Sequence, residues 1–225
     1  MTLEDALAAL SKTADADKAK EMARYHKVAR PYLGVANPAI DACAKDWRQT
    51  LTLEKRLSLA DDLWQSNIHE ARVAAAKLLT QARIKPEDHA AWELVKSWVP
   101  DFDAWAVADH AAIAGQKRLS ADPARLDDIE RWTTSDHLWT KRAALVMTLP
   151  WCKNRNPKQS ELVQRERILT WAAEYTLDQE WFIQKAVAWW LRDLSKRDPE
   201  RVKTFLVQFG PNMKNFARKE AARYL

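Results

Sequence analysis

The chain has 225 residues, with 47% hydrophobic and 30% charged side chains and a net charge of +5, which fits a folded protein and excludes a disordered one. Its length allows one large domain or a short array of repeats. The three glycines exclude the glycine-rich motifs of Rossmann folds, phosphate-binding loops and α/β-hydrolases, and they disfavour an all-β fold.

Hydrophobic residues recur with helical periodicity along almost the whole chain, separated by short polar breaks. The pattern predicts helices at 2–11, 14–29, 38–49, 52–65, 67–83, 86–98, 102–119, 123–133, 136–149, 158–174, 179–196, 198–209 and 213–225. Proline is tolerated in the first turn of a helix, and we expect five prolines in first turns: Pro38, Pro86, Pro123, Pro157 and Pro199. The predicted N-caps are Asn37, Asp122, Asn156 and Asp198.

A short motif recurs in five of these helices: a large polar or aromatic residue followed by small residues. Its first positions are Arg72, Trp105, Arg142, Lys185 and Lys219, at intervals of 33, 37, 43 and 34 residues. This spacing is typical of two-helix repeats of the HEAT type, in which small residues let helices approach closely. The sequence therefore predicts an all-α, right-handed solenoid of about six helix pairs, forming a single domain over 1–225 and curved around a concave basic groove.

The excess positive charge lies in the second half of the chain. Residues 1–120 are formally neutral, so 121–225 carry the whole excess of +5. Within that half, the segment 141–158 contains five basic residues and no acidic one. Such clustering is typical of a surface that binds a polyanion, nucleic acid above all, although solvated helix faces explain the charge alone equally well.

The motif positions connect this charge to a candidate site. Four of the five motifs open with a cation, as expected if matching helices present a basic stripe to DNA phosphates. The exception is Trp105, and Asp109 follows one turn later on the same helix face. Trp189 occupies the matching position of the fourth motif. A carboxylate within a basic groove repels the polyanion that the groove attracts, and such a conflict indicates function.

With these motifs, the sequence resembles the bacterial AlkD-like DNA alkylation-repair glycosylases, which are built of HEAT-like repeats. The resemblance covers nearly the whole chain, and its clearest segments are 22–34, 105–109, 138–144 and 182–192. The most specific segment is Ile-Gln-Lys-Ala followed by Trp and Leu-Arg, within 182–192. One departure is visible, because family members often carry an acidic residue where this chain has Ala106; we expect that position to point away from the site.

The resemblance implies an active site and a reaction. It makes Asp109 the catalytic carboxylate, Trp105 and Trp189 the active-site tryptophans, and Tyr25 a further contact to DNA. Arg142 and Arg192 correspond to phosphate-binding arginines. The implied reaction is hydrolysis of the N-glycosidic bond of a cationic N3- or N7-alkylpurine in duplex DNA. No lysine occupies the family's site, so the enzyme is expected to be monofunctional, without a strand-cleaving step.

Further basic residues are candidates for DNA contacts. Lys185 and Lys219 belong to the basic stripe, and Lys153 and Arg155 lie in a predicted polar loop, 152–158, that could reach a phosphate. Lys219 has a structural alternative, since the last repeat of a solenoid needs a polar outer face. His110 is adjacent to Asp109, but neighbouring helical residues point about 100° apart, so we do not expect it to act as an acid or base.

The sequence predicts neither a cofactor nor a metal, because its five histidines and two cysteines show no metal-ligand spacing. Without a signal peptide or a long apolar segment, we expect a cytoplasmic monomer with reduced thiols. Two alternatives stay open: a non-catalytic HEAT-like module that binds DNA or a protein, and a scaffold for an acidic protein. Phosphate contacts would distinguish DNA binding by a steep dependence on salt.

Overall fold

The structure, a computed structural model, describes residues 1–225, and all of its regular elements are helices. The prediction of an all-α fold is confirmed. The helices form two compact units, Met1–Ala121 and Asp122–Leu225. None of the helices combines the length and apolar character that a membrane crossing requires.

The first unit is organised around its fifth helix. Its helices are α1 (Leu3–Ser11), α2 (Ala16–His26), α3 (Asn37–Thr50), α4 (Leu53–Gln65), α5 (His69–Leu78), α6 (His89–Ser97) and α7 (Trp105–Ala121), with a 3₁₀ turn at Val99–Asp101. Helix α5 packs against α3, α4 and α7. It can approach all three closely because the run 74–76 consists of alanines that are fully buried.

The second unit is organised in the same way around α12. Its helices are α8 (Leu126–Trp132), α9 (Leu138–Met147), α10 (Leu149–Lys153), α11 (Gln159–Tyr175), α12 (Trp181–Ser195), α13 (Pro199–Phe209) and α14 (Asn215–Ala221), with 3₁₀ turns at Pro123–Arg125 and Gly210–Asn212. Helix α12 packs against α9, α10, α13 and α14. Its buried Ala186 and Ala188 belong to the repeated motif.

The repeat register is visible inside each unit. The motif helices α5 and α7 pack against each other in the first unit, and α9, α12 and α14 pack in succession in the second. Residues that match in the motif therefore lie on helices stacked side by side, as in HEAT-like repeats.

Several helix ends differ from the sequence prediction, because tertiary contacts satisfy backbone groups that a longer helix would use. Helix α5 ends at Leu78 instead of 83, and the Arg48 guanidinium donates to the Lys77 carbonyl at 2.7 Å. Helix α6 begins at His89, three residues after the expected first-turn Pro86. Asp88 precedes it and pairs with buried Arg118 at 2.9 Å.

Two of the four predicted N-caps are wrong. Asp122 and Asp198 accept hydrogen bonds from the backbone in the predicted way. Asn37 is instead the first residue of α3, and Asn156 lies before α11, whose N-cap is Lys158. The predicted loop 152–158 is partly helical, because Lys153 is the last residue of α10.

The segment between α2 and α3 contains the one glycine whose conformation is demanding. Gly34 has a φ of +74°, and a Cβ placed there would lie 2.0 Å from the Asp15 carbonyl oxygen and 2.8 Å from the Ala19 nitrogen. Both neighbours are backbone atoms of the α2 N-terminus, so a side chain could not be accommodated without moving that helix. Gly34 thus allows the 27–36 segment to lie directly against α2.

We expect Gly34→Ala to lower the free energy of unfolding by about 3 kcal/mol, through steric overlap together with an unfavourable φ. Urea unfolding followed by circular dichroism measures the change. Gly210→Ala is the matched control: this glycine has a helical φ, and beyond its two chain neighbours and the adjacent helix backbone no atom lies closer than 3.6 Å to its added Cβ. The free energy of unfolding should therefore change by about 1 kcal/mol or less. Equal effects of the two substitutions would contradict the explanation.

Candidate active site

The first unit contains a pocket of about 230 Å³ beside the start of α7. Asp109 is the one acidic side chain among its lining residues, which are Met22, His26, Asn37, His69, Trp105, Ala106, Asp109, His110 and Ile113. The predicted catalytic Asp109 and the predicted active-site Trp105 therefore line one pocket. The lining combines a carboxylate, an indole and three imidazoles with the apolar side chains of Met22, Ala106 and Ile113.

Helix α7 contributes a broad face to this pocket. Its lining positions 105, 106, 109, 110 and 113 follow the i, i+1, i+4, i+5, i+8 spacing of a helical stripe wider than 100°. The expectation that Ala106 points away from the site is wrong, because Ala106 lines the pocket, and His110 lines it as well. Both positions reach the pocket because it spans two adjacent rows of the helix, whose residues point about 100° apart. That His110 does not act as an acid or base stays a prediction.

Aromatic rings from four segments, namely α2, the segment 27–36, α5 and α7, form a cluster beside the pocket. The Tyr25 ring lies edge-on to the Trp105 indole, with centroids 6.1 Å apart. His26 is 5.7 Å from the same indole and stacks on His69 at 4.5 Å. Tyr32 stacks on His69 at 5.0 Å. Tyr25 is 67% exposed and Trp105 is 36% exposed, so both rings are accessible to a bound molecule.

A buried carboxylate holds the segment that carries part of this cluster. Glu70, in the first turn of α5, is fully buried and accepts hydrogen bonds from the backbone N–H groups of residues 33, 34 and 35, at 2.9, 2.7 and 3.2 Å. Arg30 in the same segment forms an ion pair with Asp103, two residues before Trp105. These contacts fix the 27–36 segment to the starts of both α5 and α7.

The imidazoles of the pocket are neutral near pH 7. Burial lowers the pKa of His69 to about 3, and the nearby His26 and Arg30 add to the effect. Burial, with Lys77 nearby, lowers the pKa of His110 to about 4. Burial and the Arg30 charge also lower the pKa of His26. The pocket lining therefore holds one carboxylate and no cationic imidazole.

The second unit places Trp189 in a charged setting on α12. Its indole Nε1 donates to the Asp193 carboxylate at 3.0 Å, one turn further along the helix. The ammonium of Lys153 lies over the Trp189 ring, 5.8 Å from its centroid, and 3.6 Å from the same carboxylate. Arg192 also contacts Asp193 at 3.5 Å and forms an ion pair with Glu220. Within this unit, Trp189, Lys153 and Arg192 are thus brought together.

The predicted basic stripe is only partly accessible. Lys185 on α12 and Lys219 on α14 are exposed, as is Arg155 in the segment between α10 and α11. Arg142 is 3% exposed and its guanidinium donates to the Phe182 carbonyl at 3.4 Å. In the first unit, Arg72 is buried too: it lies over the Trp64 ring at 4.8 Å and donates to the Trp64 carbonyl. The first motif position is therefore buried in some repeats, where its side chain packs against neighbouring residues, and exposed in others.

Sequence reasoning missed His26, His69 and Asp193. Only the fold brings the two histidines to the pocket, because they lie on different helices and no local spacing connects them. Asp193 had a readable signal, since Trp189 and Asp193 repeat the four-residue spacing of Trp105 and Asp109. The contribution of Trp189 to a common site with Asp109 stays a prediction.

Comparisons with known proteins match one family model and several solved structures of similar fold. Residues 6–225 match the family described as DNA alkylation repair enzyme. The fold is similar to that of a "Predicted DNA alkylation repair enzyme from Enterococcus faecalis", with a TM-score of 0.79 and 21% identity over 95% of this chain and 97% of that one. It is also similar to AlkD2 from Streptococcus mutans, with a TM-score of 0.69 and 19% identity over 100% and 99% of the two chains. A third similar structure is smu.31 from Streptococcus mutans UA159, with a TM-score of 0.64 and 21% identity over 84% and 92%. No curated protein matches the chain.

The neutral imidazole of His69 should make the protein sensitive to acid. The unfolded chain binds a proton near pH 6.5, whereas folded His69 does so only near pH 3, so its contribution to stability is complete above pH 6.5 and is lost as the pH falls through this window. Each pH unit in the window costs about 1.4 kcal/mol. Between pH 6.5 and pH 5, we expect the wild type to lose about 2 kcal/mol more than His69→Phe, which keeps the ring stacking without the titration.

Urea unfolding at several pH values measures this difference. The matched control is His89→Phe, because His89 is exposed at the start of α6. The control should follow the wild-type pH dependence, and an identical slope for His69→Phe would refute the assignment.

Proposed function

Because the chain belongs to the DNA alkylation repair enzyme family, we propose that it is a monofunctional DNA glycosylase that removes cationic N3- and N7-alkylpurines from duplex DNA. A role in DNA alkylation repair, with DNA as the partner, follows from the family itself. The observation that carries the finer proposal is the position of Asp109 in a pocket that it shares with the Trp105 indole and three neutral imidazoles.

The proposed reaction suits these residues. Alkylation at N3 or N7 gives the purine a positive charge, so the base leaves with the electron pair of the N-glycosidic bond and needs no strong general acid. The charge that develops is on the sugar, as an oxocarbenium-like cation. A carboxylate near the anomeric carbon stabilises this cation and can orient the water that attacks it. We assign this role to Asp109.

Aromatic faces provide the second component. An indole or phenol face attracts a cation with about 0.5–2 kcal/mol, depending on its exposure to water. Trp105 and Tyr25 are both accessible, and the planes of their rings meet at 85°. We propose that they contact the cationic nucleotide and that Trp189 in the second unit has the same role. The neutral histidines support this proposal, since protonated ones would repel such a substrate.

The central test is base release from methylated DNA. We expect the wild type to release free N7-methylguanine from a methylated duplex, leaving abasic sites that break only after heat or alkali. Asp109→Asn should slow release by at least about 100-fold, because it removes the charge that stabilises the transition state. Chromatography of the released base measures the rate, and binding to abasic DNA should be retained.

The control for charge removal alone is Asp17→Asn, since Asp17 is an exposed carboxylate of α2 paired with Lys20 and lies outside the pocket. This variant should release base at the wild-type rate. If the wild type binds DNA but releases no base, the non-catalytic module is the correct reading. If Asp109→Asn loses release and abasic-site binding equally, Asp109 has a structural role.

The exposed cations of the second unit generate a separate prediction about binding. If Lys185 contacts a phosphate, Lys185→Gln should reduce the slope of the logarithm of affinity against the logarithm of salt concentration by about one. Fluorescence anisotropy with a duplex at several salt concentrations measures the slope. Lys20→Gln is the control, because Lys20 is also exposed but pairs with Asp17 on α2. A shallow slope for the wild type would favour the scaffold for an acidic protein.

A further inference from the structure

Asp193 is the buried centre of a small network in the second unit. The residue is 8% exposed, and both of its carboxylate oxygens are in contact with other side chains. One oxygen accepts the Trp189 indole N–H at 3.0 Å and lies 3.6 Å from the Lys153 ammonium. The other lies 3.5 Å from Arg192 Nε and 3.4 Å from Lys196 Nζ. Three cations and one indole thus converge on a single carboxylate.

Such an arrangement fixes the orientation of the indole. A tryptophan side chain on a helix turns about two bonds, and a charge-assisted hydrogen bond to its only polar atom selects one orientation. The same carboxylate draws Lys153 toward the Trp189 ring, where the ammonium lies 5.8 Å from the centroid. Lys153 ends α10, so the contact also connects α10 to α12 at the level of Trp189.

We propose that Asp193 is a positioning residue for the reaction, holding the Trp189 indole in its working orientation and keeping Lys153 beside it. This inference rests on the proposed function, in which Trp189 contacts the cationic nucleotide. A basic surface that only bound phosphates would gain affinity by losing this carboxylate. Its presence is explained if the orientation of the indole matters more than the additional positive charge.

The same unit offers a matched control. The Trp171 indole N–H donates to the Glu130 carboxylate at 2.9 Å, and Arg167 lies over the Trp171 ring at 5.6 Å while pairing with Glu130. The same type of contact, an indole N–H bound to a carboxylate with a cation over the ring, is therefore present at Trp171, with Arg167 as the cation. Trp171 is only 3% exposed, whereas Trp189 is half-buried, so Trp171 is a packing residue.

The test compares Asp193→Asn with Glu130→Gln in single-turnover release of N7-methylguanine. We expect Asp193→Asn to slow release by about 10- to 100-fold, the range for a misplaced active-site group. Its affinity for unmodified duplex should stay the same or rise, since an anion has been removed from a basic surface. Glu130→Gln should change neither quantity.

A double-mutant cycle adds a readout that a general structural role would not produce. Phenylalanine has no N–H, so Trp189→Phe removes the hydrogen bond that Asp193→Asn weakens by taking away the charge of the acceptor. If Asp193 acts through Trp189, the double variant should be no slower than the slower single variant. If the rate loss of the double variant equals the product of the two single losses, the proposal is overturned. It is also overturned if Asp193→Asn releases base and binds duplex as Glu130→Gln does, or if Asp193→Asn loses duplex binding together with turnover.

An indole N–H resonance tests the positioning without any catalysis. The Trp189 signal, identified by its absence in Trp189→Phe, should move upfield in Asp193→Asn, while the other indole signals stay in place. An unchanged signal would overturn the inference. A wild type that releases no base, but whose Trp189 signal responds to Asp193→Asn, would instead refute the proposed glycosylase function and leave the hydrogen bond established.

Discussion

The candidate site depends on the hydrogen bonds of the buried Glu70 carboxylate. Three backbone N–H groups from residues 33–35 donate to it and compensate for the water that it loses on burial. Because Glu70 lies in the first turn of α5, the field of the helix N-terminus also stabilises its charge. Because the 27–36 segment is fixed in this way, α2 ends with Tyr25 and His26 beside the first residue of α7. The aromatic cluster thus depends on the hydrogen bonds that hold the 27–36 segment to Glu70.

Acidic side chains have different uses in this chain, and their surroundings distinguish them. Glu70 is closed off from solvent by backbone donors, and Asp193 is surrounded by cations and an indole. Asp109 instead lines a pocket of about 230 Å³ whose imidazoles are neutral. Of these three carboxylates, only Asp109 lines this pocket, and this placement is the reason why we assign the proposed catalytic role to it.

The fold was largely predictable from local pattern, whereas the site was predictable only in part. Helical periodicity and the small-residue motif located the helices and their stacking order, because both depend on neighbours along one helix. Helix ends were missed where distant side chains such as Arg48 satisfy carbonyls. The same distinction holds in the site: Trp105 and Asp109 share a helix, but His26 and His69 reach the pocket through the Glu70 contact, which spans more than thirty residues.

The first position of the repeated motif shows why a chemical pattern alone does not define a binding surface. Arg72 and Arg142 are buried, while Lys185 and Lys219 are exposed, although all four open the same motif. Arginine can be buried because its planar guanidinium stacks on a ring and bonds to carbonyls, as Arg72 does with Trp64. Lysine carries a compact, strongly hydrated charge that resists burial. The residue type at the motif position, rather than its charge, therefore separates the cations that pack repeats together from those that can meet a phosphate.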